Sequence, residues 1–481
     1  MELRTQIRKT KIVATVGPAC DNVETLSAMV LAGMSVARLN LSHGTLKEHR
    51  ERVGRIREAA ARIERPVAIM LDTRGLEIRS GHLPDGPVQL DAGAEFWLYT
   101  DARPGDVNGV SVSYQALAQE VNPGDPILLD DGAMELVVEA VEEREIRCRV
   151  VAGGLLKENK GVNLPNTRLA LATEDPKNRN DVLQEMTFAA DNSVDYIAAS
   201  FVQGPDDINR MREILKAKGV KIPIIAKIEN RSGMENLAAI VAAADGVMVA
   251  RGDLGVELPL AEVPGYQKKI IRTTVMNGKP VITATQMLAS MERNPKPTRA
   301  EASDVANAIL DGSSAVMLSG ETAAGLYPVE SVRTLSELAL RAEAHLKEYG
   351  YLQRILPHPS NVVTEAVSQA AVNMADQLGA SAIVSLTETG FTSRLVSKHR
   401  PECPILAVTS SPGVTRRLCM NWGVMPLLCE SEASDDGKVE FATEQAKLMG
   451  LVAAGDILVV TAGHPHRPGG TDIIRVLTVG S

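Results

Sequence analysis

The sequence is poor in aromatic residues and in cysteine. Phe, Trp and Tyr make up only 3% of the 481 residues, so the core must be built mainly from aliphatic side chains. The five cysteines are odd in number, and no two have CxxC spacing. This pattern argues against a disulfide framework or a zinc site and favours a reducing, cytoplasmic location.

An excess of basic residues and long apolar runs are also missing. The net charge of −9 argues against a dedicated nucleic-acid-binding protein, although a phosphate ligand needs only a local cluster of cations. No apolar run reaches the ~18 residues that a membrane helix needs. The first residues lack the apolar segment and cleavage site of a signal peptide. We therefore expect several domains, with neither nucleic acid nor membrane as a partner.

Short apolar runs that end abruptly in polar residues occur eight times before residue 320. Runs of this length without polar alternation are typical of strands buried on both faces. Most are separated by stretches with helical spacing, such as Pro205–Lys218 and Pro264–Asn277. Strand followed by helix, repeated eight times, predicts a parallel (β/α)8 barrel with catalytic groups at the strand ends. The predicted strands are Ile12–Val16, Val36–Leu39, Val67–Leu71, Tyr196–Ala199, Ile222–Ala226, Val247–Ala250, Val281–Ala284 and Ala315–Leu318.

Two further domains interrupt or follow this pattern. The third and fourth runs are separated by more sequence than a loop holds, and the short β-like segments there predict an all-β lid inserted at 76–170. The barrel would then comprise 1–75 and 171–345. From 355 to 481, helices alternate with apolar strands, which predicts a C-terminal α/β domain with a largely parallel sheet.

Charged residues follow two neighbouring strands of the predicted barrel. Lys227 and Glu229 are two positions apart at the end of the fifth strand, so their side chains point to the same side. Asp253, after the sixth strand, could share a hard cation with Glu229. A structural ion pair would explain Lys227 and Glu229 equally well.

Most of the other strand ends also carry groups suited to phosphate, carboxylate or a hard cation. None of them offers a Ser-His-Asp or Cys-His nucleophile, and phosphoryl transfer needs positive charge and positioning rather than such a nucleophile. Taken singly, each residue could belong to an ordinary polar rim. The residues concerned are Arg38, Asn40, Ser42 and His43, then Asp72, Thr73, Arg74, Glu77 and Arg79, then Thr285, and finally Ser319, Gly320 and Glu321.

Nearly the whole chain resembles the pyruvate kinase family. The matching blocks stand in the order of the family: ARLNLSHG, LDTRGLEIR, KGVNLP, ASFV, AKIEN, MVARGDLGVE, TATQMLASM, PTRAEASDVANAILDG and MLSGETAAG. The resemblance implies a barrel with an inserted β domain and a C-terminal α/β domain. It also implies phosphoryl transfer from phosphoenolpyruvate to ADP, giving pyruvate and ATP in glycolysis.

The resemblance assigns roles to individual residues. Arg38 and Lys227 would contact the phosphoryl group, with Ala250, Arg251, Gly252 and Asp253 lining the substrate pocket. Thr285 would deliver a proton to the enolate carbon, supported by Ser319 and Glu321. Arg79, Lys160, His43 and Asn40 would lie at the nucleotide, with Lys160 supplied by the lid. Glu229 and Asp253 would hold Mg²⁺ or Mn²⁺, and Asn40, Ser42, Asp72 and Thr73 would hold K⁺.

Some positions depart from the family pattern or bear on regulation. A glutamate at Glu77 accompanies K⁺ dependence in the family, because the extra negative charge favours a cation. Arg74, Leu76 and Asn166 replace the usual lysine, proline and glycine, so the sequence does not determine how the lid moves.

A phosphate-binding loop is a further hypothesis for the C-terminal domain. Thr387, Thr389, Thr392 and Ser393 precede or open a helix, and Arg467 lies on a later loop. In the family this region binds sugar-phosphate or nucleotide effectors. An ordinary βα loop is the alternative.

Two rival functions remain open at this point. A barrel lyase or aldolase would use the same carboxylate pair but would not need Lys160, Arg79 or a lid. A sensor that has lost catalysis would bind sugar phosphates only, and the intact set of Lys227, Glu229, Asp253 and Thr285 speaks against it. The family is typically homotetrameric, which we also expect here; the sequence fixes neither the effector nor the nucleotide preference.

Overall fold

The computed structural model describes residues 7–75, 78–165, 167, 176–350, 362–430, 433–463 and 470–480. Leu76, Glu77, Asn166 and Arg467 lie outside the described residues. Three sheet systems are present in this part of the chain: a closed barrel, a mostly antiparallel sheet with a small two-stranded companion, and a five-stranded sheet.

The barrel is closed by eight parallel strands in the order β1-β17-β16-β15-β14-β13-β3-β2. Its strands are β1 (Lys11–Thr15), β2 (Val36–Asn40), β3 (Ala68–Asp72), β13 (Tyr196–Ala199), β14 (Ile224–Ile228), β15 (Gly246–Ala250), β16 (Val281–Ala284) and β17 (Ala315–Leu318). Every strand has an almost wholly buried pattern, which explains the lack of polar alternation in the sequence. The predicted barrel is confirmed.

Helices surround the barrel and bury its outer face. The helices are α1 (Val23–Ala32), α2 (Leu46–Arg62), α4 (Pro176–Asp191), α5 (Pro205–Ala217), α6 (Arg231–Glu235), α7 (Leu237–Ala243), α8 (Arg251–Glu257), α9 (Val263–Met276), α10 (Arg299–Leu310), α11 (Gly320–Ala323), α12 (Pro328–Glu343) and α13 (Leu346–Tyr349). Two short 3₁₀ turns, Leu260–Glu262 and Ala289–Glu292, complete this region. Inside the barrel, Met70, Met248 and Met317 pack with aliphatic side chains and with Tyr196.

The fifth barrel strand begins two residues later than the sequence predicted. The prediction was Ile222–Ala226, whereas the strand is Ile224–Ile228. Pro223 has no N–H to donate to the ladder, so it precedes the strand. The shift places Lys227 within the strand and leaves only Glu229 beyond its end.

The inserted lid is built from short strands. Its main sheet has the order β4-β12-β8-β9-β10-β6-β7, and β5 pairs with β11. These strands are β4 (Ile78–Arg79), β5 (Val88–Leu90), β6 (Glu95–Tyr99), β7 (Gly109–Ser111), β8 (Pro126–Leu129), β9 (Met134–Val141), β10 (Glu145–Ala152), β11 (Gly154–Leu156) and β12 (Gly161–Asn163), with one helix, α3 (Leu117–Glu120). The sequence missed β4, β11 and β12, which have two or three residues each.

The C-terminal sheet has the order β20-β19-β18-β21-β22, and only β22 is antiparallel to its neighbour. Its strands are β18 (Ala382–Leu386), β19 (Ile405–Thr409), β20 (Val424–Leu428), β21 (Ile457–Gly463) and β22 (Thr471–Thr478). The helices are α14 (Val362–Leu378), α15 (Phe391–Lys398), α16 (Pro412–Leu418) and α17 (Asp435–Leu448). Strand β22 was missed because it is an edge strand with both faces largely exposed, so its sequence carries no buried periodicity.

Contacts join the C-terminal domain to the barrel at the amino ends of its strands. Lys11 Nζ donates to the Val424 carbonyl at 2.6 Å, and Arg400 donates to the Gly312 carbonyl at 2.6 Å. The other end of the barrel is thereby left for the lid. The boundaries 76–170 and 355–481 stay predictions. Within the described ranges, we find no helix that combines the length and apolarity needed to cross a bilayer.

Candidate active site

A network of buried charges lies at the carboxyl end of the barrel. Arg38 Nε is 2.6 Å from Asp72 Oδ2, and Lys227 Nζ is 3.1 Å from Asp72 Oδ1. Lys227 Nζ is also 2.8 Å from Glu229 Oε1. Asp72 and Glu229 are almost fully buried. Three neighbouring or near-neighbouring strands, β2, β3 and β14, therefore bring two cations and two carboxylates into one cluster.

The charges in this cluster shift one another's protonation. Burial alone would raise the pKa of Asp72, but Lys227 and Arg38 outweigh it and hold the pKa below its usual value. Burial alone would lower the pKa of Lys227, but the carboxylates of Asp72 and Glu229 raise it above its usual value. Lys227 therefore stays cationic at neutral pH.

For the carboxylates of Glu229 and Asp253, neighbouring cations do not outweigh the effect of burial on the pKa. Burial raises the pKa of Glu229, and the neighbouring Asp253 adds to the rise against the opposing charge of Lys227. Burial likewise raises the pKa of Asp253. Two buried carboxylates that are costly to ionise together fit a divalent cation. Among the described residues, no group of three or more His, Cys, Asp or Glu side chains is arranged to hold a metal, so any ion would depend on this pair and on substrate oxygens.

Two strand ends that the sequence argument left without a role also enter the network. On β1, Thr15 Oγ1 accepts from Arg38 Nη1 at 2.9 Å. Directly after β13, Ser200 Oγ accepts from Lys227 Nζ at 2.8 Å and donates to Asp72 Oδ1 at 3.2 Å. The backbone N–H of Phe201 donates to Glu229 Oε2 at 2.5 Å. Ser200 and Phe201 lie in the ASFV block, so the resemblance could have pointed to them.

The residues predicted to hold K⁺ lie at the ends of β2 and β3. Asn40 stands opposite Asp72 in the strand register, and its Oδ1 accepts from Ser42 N at 3.2 Å. Thr73 is buried and its Oγ1 accepts from Ser200 N at 3.0 Å. Neutral and anionic oxygens therefore converge here, a donor set that suits a hard monovalent cation. His43 is exposed beside them, and its carbonyl accepts from the His49 ring at 2.8 Å.

The substrate pocket predicted at Ala250–Asp253 is bordered by the end of β16. Ala250 stands opposite Ala284 in the register, which brings Gly252 next to Thr285. The N–H of Gly252 donates to Thr285 Oγ1 at 2.9 Å. The guanidinium of Arg251 bonds instead to the Thr285 carbonyl and to Asp304, so its side chain is engaged within the protein.

Glu321 joins the last two strand ends. Its carboxylate accepts from Ser319 N at 2.7 Å and from Leu288 N at 3.0 Å, and it is 2% exposed. Both oxygens are thus held by backbone N–H groups of two loops. Ser319 lies beside it at the end of β17 and is partly exposed.

The lid residues have different surroundings. Lys160 Nζ is 2.8 Å from Asp130 Oδ1, and both side chains are about one-third exposed. Arg79 Nη1 donates to the Asn159 carbonyl at 2.8 Å. One contact links the lid to the barrel helix that carries Asp253: Asn163 Nδ2 donates to Glu257 Oε1 at 3.2 Å. No role was predicted from the sequence for Asn163, Glu257 or Asp130.

The threonines of the predicted effector loop are gathered around the start of α15. Thr387 Oγ1 accepts from Gly390 N at 2.9 Å, and Thr389 is exposed. The buried hydroxyls of Thr392 and Ser393 bond to Thr471 and Ser385. These two hydroxyls are engaged inside the domain, so a phosphate here would rely on the helix N–H groups and on Thr389.

Comparison with known proteins identifies the family. The model of the pyruvate kinase barrel domain matches residues 7–332, and that of the pyruvate kinase alpha/beta domain matches residues 365–477. Pyruvate kinases from Bacillus licheniformis and Geobacillus stearothermophilus are 46% and 47% identical, each over 98% of this chain. The matches cover 81% and 80% of those two relatives.

A solved structure points to the same family. A crystal structure of a pyruvate kinase from Cryptosporidium parvum superposes with a TM-score of 0.92 at 39% identity, covering 98% of this chain and 96% of that one. The fold, the buried charge network and these matches agree over nearly the full length. The chain therefore belongs to the pyruvate kinase family of phosphotransferases.

Proposed function

We propose that the cluster of Arg38, Asp72, Lys227 and Glu229 is where the phosphoryl group passes from phosphoenolpyruvate to ADP, giving pyruvate and ATP. The network of these four residues is the observation that carries the assignment. Asp72 and Glu229 fix the two cations in place, and the cations face the carboxyl end of the barrel. Preorganised positive charge of this kind stabilises a phosphoryl group in transfer without a covalent nucleophile.

In this proposal Glu229 and Asp253 hold a divalent cation, Mg²⁺ or Mn²⁺. The raised pKa of both buried carboxylates supports it, because a cation would offset their mutual repulsion. When bound, the ion supplies positive charge to phosphoryl and enolate oxygens. Phe201 N–H and Lys227 orient the carboxylate of Glu229 for that task.

A K⁺ ion held by Asn40, Ser42, Asp72 and Thr73 is the second proposed cofactor. The convergence of oxygens at the ends of β2 and β3 supports this assignment. Turnover should therefore fall when K⁺ is replaced by tetramethylammonium in a Na⁺-free buffer. Equal activity in the two buffers would remove the proposed cation site.

The nucleotide would lie between the barrel end and the lid. Lys160 and Arg79 provide charge for its phosphates, and His43 and Asn40 border it from the barrel side. The exposure of Lys160 and of His43 supports access from solvent.

Proton delivery to the enolate carbon is proposed for Thr285, with Ser319 and Glu321 on the same side. Ala250, Arg251 and Gly252 would line the pocket for the substrate carboxylate, partly through backbone N–H groups. The position of Thr285 against Gly252 at 2.9 Å supports a hydroxyl held close to the reacting carbon.

Regulation, assembly and location extend the proposal. A sugar-phosphate or nucleotide effector would bind at Thr387, Thr389, Thr392 and Ser393, together with Arg467. The protein would be a cytoplasmic homotetramer. The exposed edge strand β22, with Ile473 and Val476 on its surface, supports association through the C-terminal sheet.

The direct test is pyruvate formation from phosphoenolpyruvate and ADP with Mg²⁺ and K⁺, comparing the wild type with Lys227→Met. We expect robust wild-type turnover that falls by several orders of magnitude, roughly 10³-fold or more, because methionine keeps the volume and removes the charge. Circular dichroism would verify that the variant is folded. No wild-type turnover, with or without sugar phosphates, would favour the lyase or sensor instead.

A further inference from the structure

We propose that Arg251 is a positioning residue, which holds Thr285 in the geometry needed for proton delivery, and that its guanidinium does not bind the substrate. The inference rests on the proposed role of Thr285. It sharpens the sequence-based expectation that Arg251 lines the substrate pocket, which did not say what its guanidinium contacts.

The backbone at Thr285 requires external support. Thr285 has φ +68° and Gln286 has φ +54°, so two successive non-glycine residues adopt the left-handed region. This conformation is costly for a β-branched residue and persists only where the surroundings impose it. Thr285 directly follows β16, so its side-chain direction depends on this turn.

Arg251 supplies that support. Its Nε donates to the Ala284 carbonyl at 3.2 Å and its Nη2 donates to the Thr285 carbonyl at 2.6 Å. Nη2 also lies 2.9 Å from Met287 Sδ. The flat fork of a guanidinium can make these contacts together, whereas a lysine ammonium cannot span the same three atoms.

The other side of the guanidinium is anchored to the barrel wall. Nη1 lies 2.7 and 2.8 Å from the two oxygens of Asp304 on α10, and 3.5 Å from Gln267 Oε1 on α9. Each of the five N–H groups of Arg251 therefore has a nearby acceptor within the protein. With a side chain only 13% exposed, Arg251 has no donor left over for a substrate carboxylate.

The backbone beyond Arg251 completes the arrangement. The N–H of Gly252 donates to Thr285 Oγ1 at 2.9 Å, and Thr285 Oγ1 donates to the Ala284 carbonyl at 2.6 Å. Side chain and backbone of one short segment thus fix both the main chain and the hydroxyl of Thr285. The end of β15 is therefore bonded to the end of β16 through both side chain and backbone.

If Arg251 positions Thr285, replacing Arg251 should slow proton transfer to the enolate carbon. In the forward direction the electron pair of the enolate C=C bond forms a new C–H bond. The proton comes from the Thr285 hydroxyl, directly or through water, and the resulting oxygen regains a proton from solvent. In reverse, a C–H bond of the pyruvate methyl group breaks, its proton passes through the Thr285 hydroxyl to solvent, and its electron pair forms the C=C bond of the enolate. Reprotonation of the enolate in D₂O then places deuterium on the carbon. Deuterium uptake by pyruvate in D₂O therefore reports on this step separately from phosphoryl transfer.

The experiment measures deuterium uptake by NMR together with kcat and KM for phosphoenolpyruvate, using the full-length enzyme with Mg²⁺, K⁺ and ATP. We expect Arg251→Met and Thr285→Ala each to lower the exchange rate about 10²-fold, with KM in Arg251→Met changed less than about threefold. Arg251→Lys should recover only part of the loss. The double variant Thr285→Ala/Arg251→Met should be no slower than the slower single variant, because the two residues act together.

Two further variants separate positioning from folding. Asp304→Asn weakens the anchor outside the cleft and should lower exchange in the same direction by less. Arg212→Met is the matched control: Arg212 also pairs with a carboxylate, Asp245, and with a backbone carbonyl, but at the amino end of β15. It should leave exchange at the wild-type level.

Either of two results would overturn the inference. A tenfold or larger rise in KM for phosphoenolpyruvate in Arg251→Met, with exchange retained, would show that the guanidinium binds the substrate. Wild-type exchange in Thr285→Ala would instead remove the proposed role of Thr285, on which the inference depends. The Thr285 variant alone thus distinguishes failure of the proposed function from failure of the positioning role.

Discussion

The candidate site has a barrel half and a lid half, and the charged side chains of the two halves differ in burial and in their number of contacts. In the barrel, Asp72 and Glu229 are about 1% exposed and share Arg38, Lys227 and backbone donors. In the lid, Lys160 and its partner Asp130 are about one-third exposed and have a single contact with each other. Buried, multiply bonded groups cannot rearrange without a large loss of free energy, whereas the lid pair can exchange partners at little cost.

The difference indicates a division of labour. Fixed charges in the barrel suit transition-state stabilisation, which depends on groups already in place. A cation on the lid that is paired with a partly exposed carboxylate, as Lys160 is with Asp130, would suit the proposed capture and release of a nucleotide. Variants in the two halves should therefore separate into effects on kcat and effects on KM for ADP.

The largest effect is expected for Arg38→Met in the barrel. It removes one of the two cations of the network and leaves Asp72 with Lys227 alone, so kcat should fall about 10²- to 10³-fold. KM for ADP should change little, because the side-chain bonds of Arg38 are to Asp72 and Thr15 in the barrel. Steady-state kinetics with each substrate varied would measure both. A change confined to KM for ADP would contradict the division between the halves.

A pH-dependent effect on stability should also be restricted to the barrel half, where the charged side chains are buried. Glu185 on α4 is 4% exposed, and burial raises its pKa to about 7, partly opposed by its contacts with Arg74. The folded state then binds a proton more tightly than the unfolded state, so stability falls as pH rises from about 4.5 to about 7. Glu185→Gln cannot ionise and keeps the acceptor. Its thermal midpoint should exceed that of the wild type by about 5 °C at pH 8, with little difference at pH 4.5.

The control for this effect lies in the lid. Glu158 is exposed and pairs with His82 there, so Glu158→Gln should give no gain in midpoint at pH 8. Circular dichroism would follow both variants. An equal gain in the two variants would point to net charge rather than burial as the cause.

Lid residues should affect nucleotide affinity moderately. Lys160→Met should raise KM for ADP about tenfold, which corresponds to ~1.4 kcal/mol of lost binding. Asp130→Asn should lower KM for ADP about twofold, because it releases Lys160 from its ion pair. Because the two variants should shift KM for ADP in opposite directions, each serves as a control for the other. A rise in KM for ADP in Asp130→Asn would mean that Asp130 supports the nucleotide directly.

The smallest expected effect tests how the two halves communicate. Asn163 on β12 donates to Glu257 on α8, the helix that also carries Asp253. In a double-mutant cycle with Asn163→Ala and Glu257→Gln, we expect a coupling energy of about 1 kcal/mol in kcat/KM for ADP. Strictly additive effects would show that lid and barrel act independently at this contact.

The fold was largely predictable because barrel strands are buried on both faces. The resulting apolar runs identified all eight strands; β1 and β3 are displaced by one residue, and β14, where Pro223 cannot pair, is displaced by two. The missed strands have a common cause. Strands β4, β11 and β12 have two or three residues each, and β22 is an exposed edge, so none of them carries the periodicity that burial imposes.

For the site, sequence reasoning found residue types but could not determine their partners. Charged residues such as Lys227 and Glu229 stand out at strand ends. Ser200 does not, because a serine after a strand usually satisfies backbone groups. The direction of the Arg251 side chain could not be predicted either, since Asp304 is more than fifty residues away and meets it only in the folded barrel.

The pairing of β4 with β12 has a consequence for how such an enzyme can change over time. Arg79 stands opposite Gly161, so the chain enters and leaves the lid through two adjacent antiparallel strands. The barrel strands on either side of the insertion, β3 and β13, are themselves neighbours. A whole inserted domain can thus be lengthened, exchanged or lost between two positions that already lie close together, while every strand of the barrel keeps its neighbours.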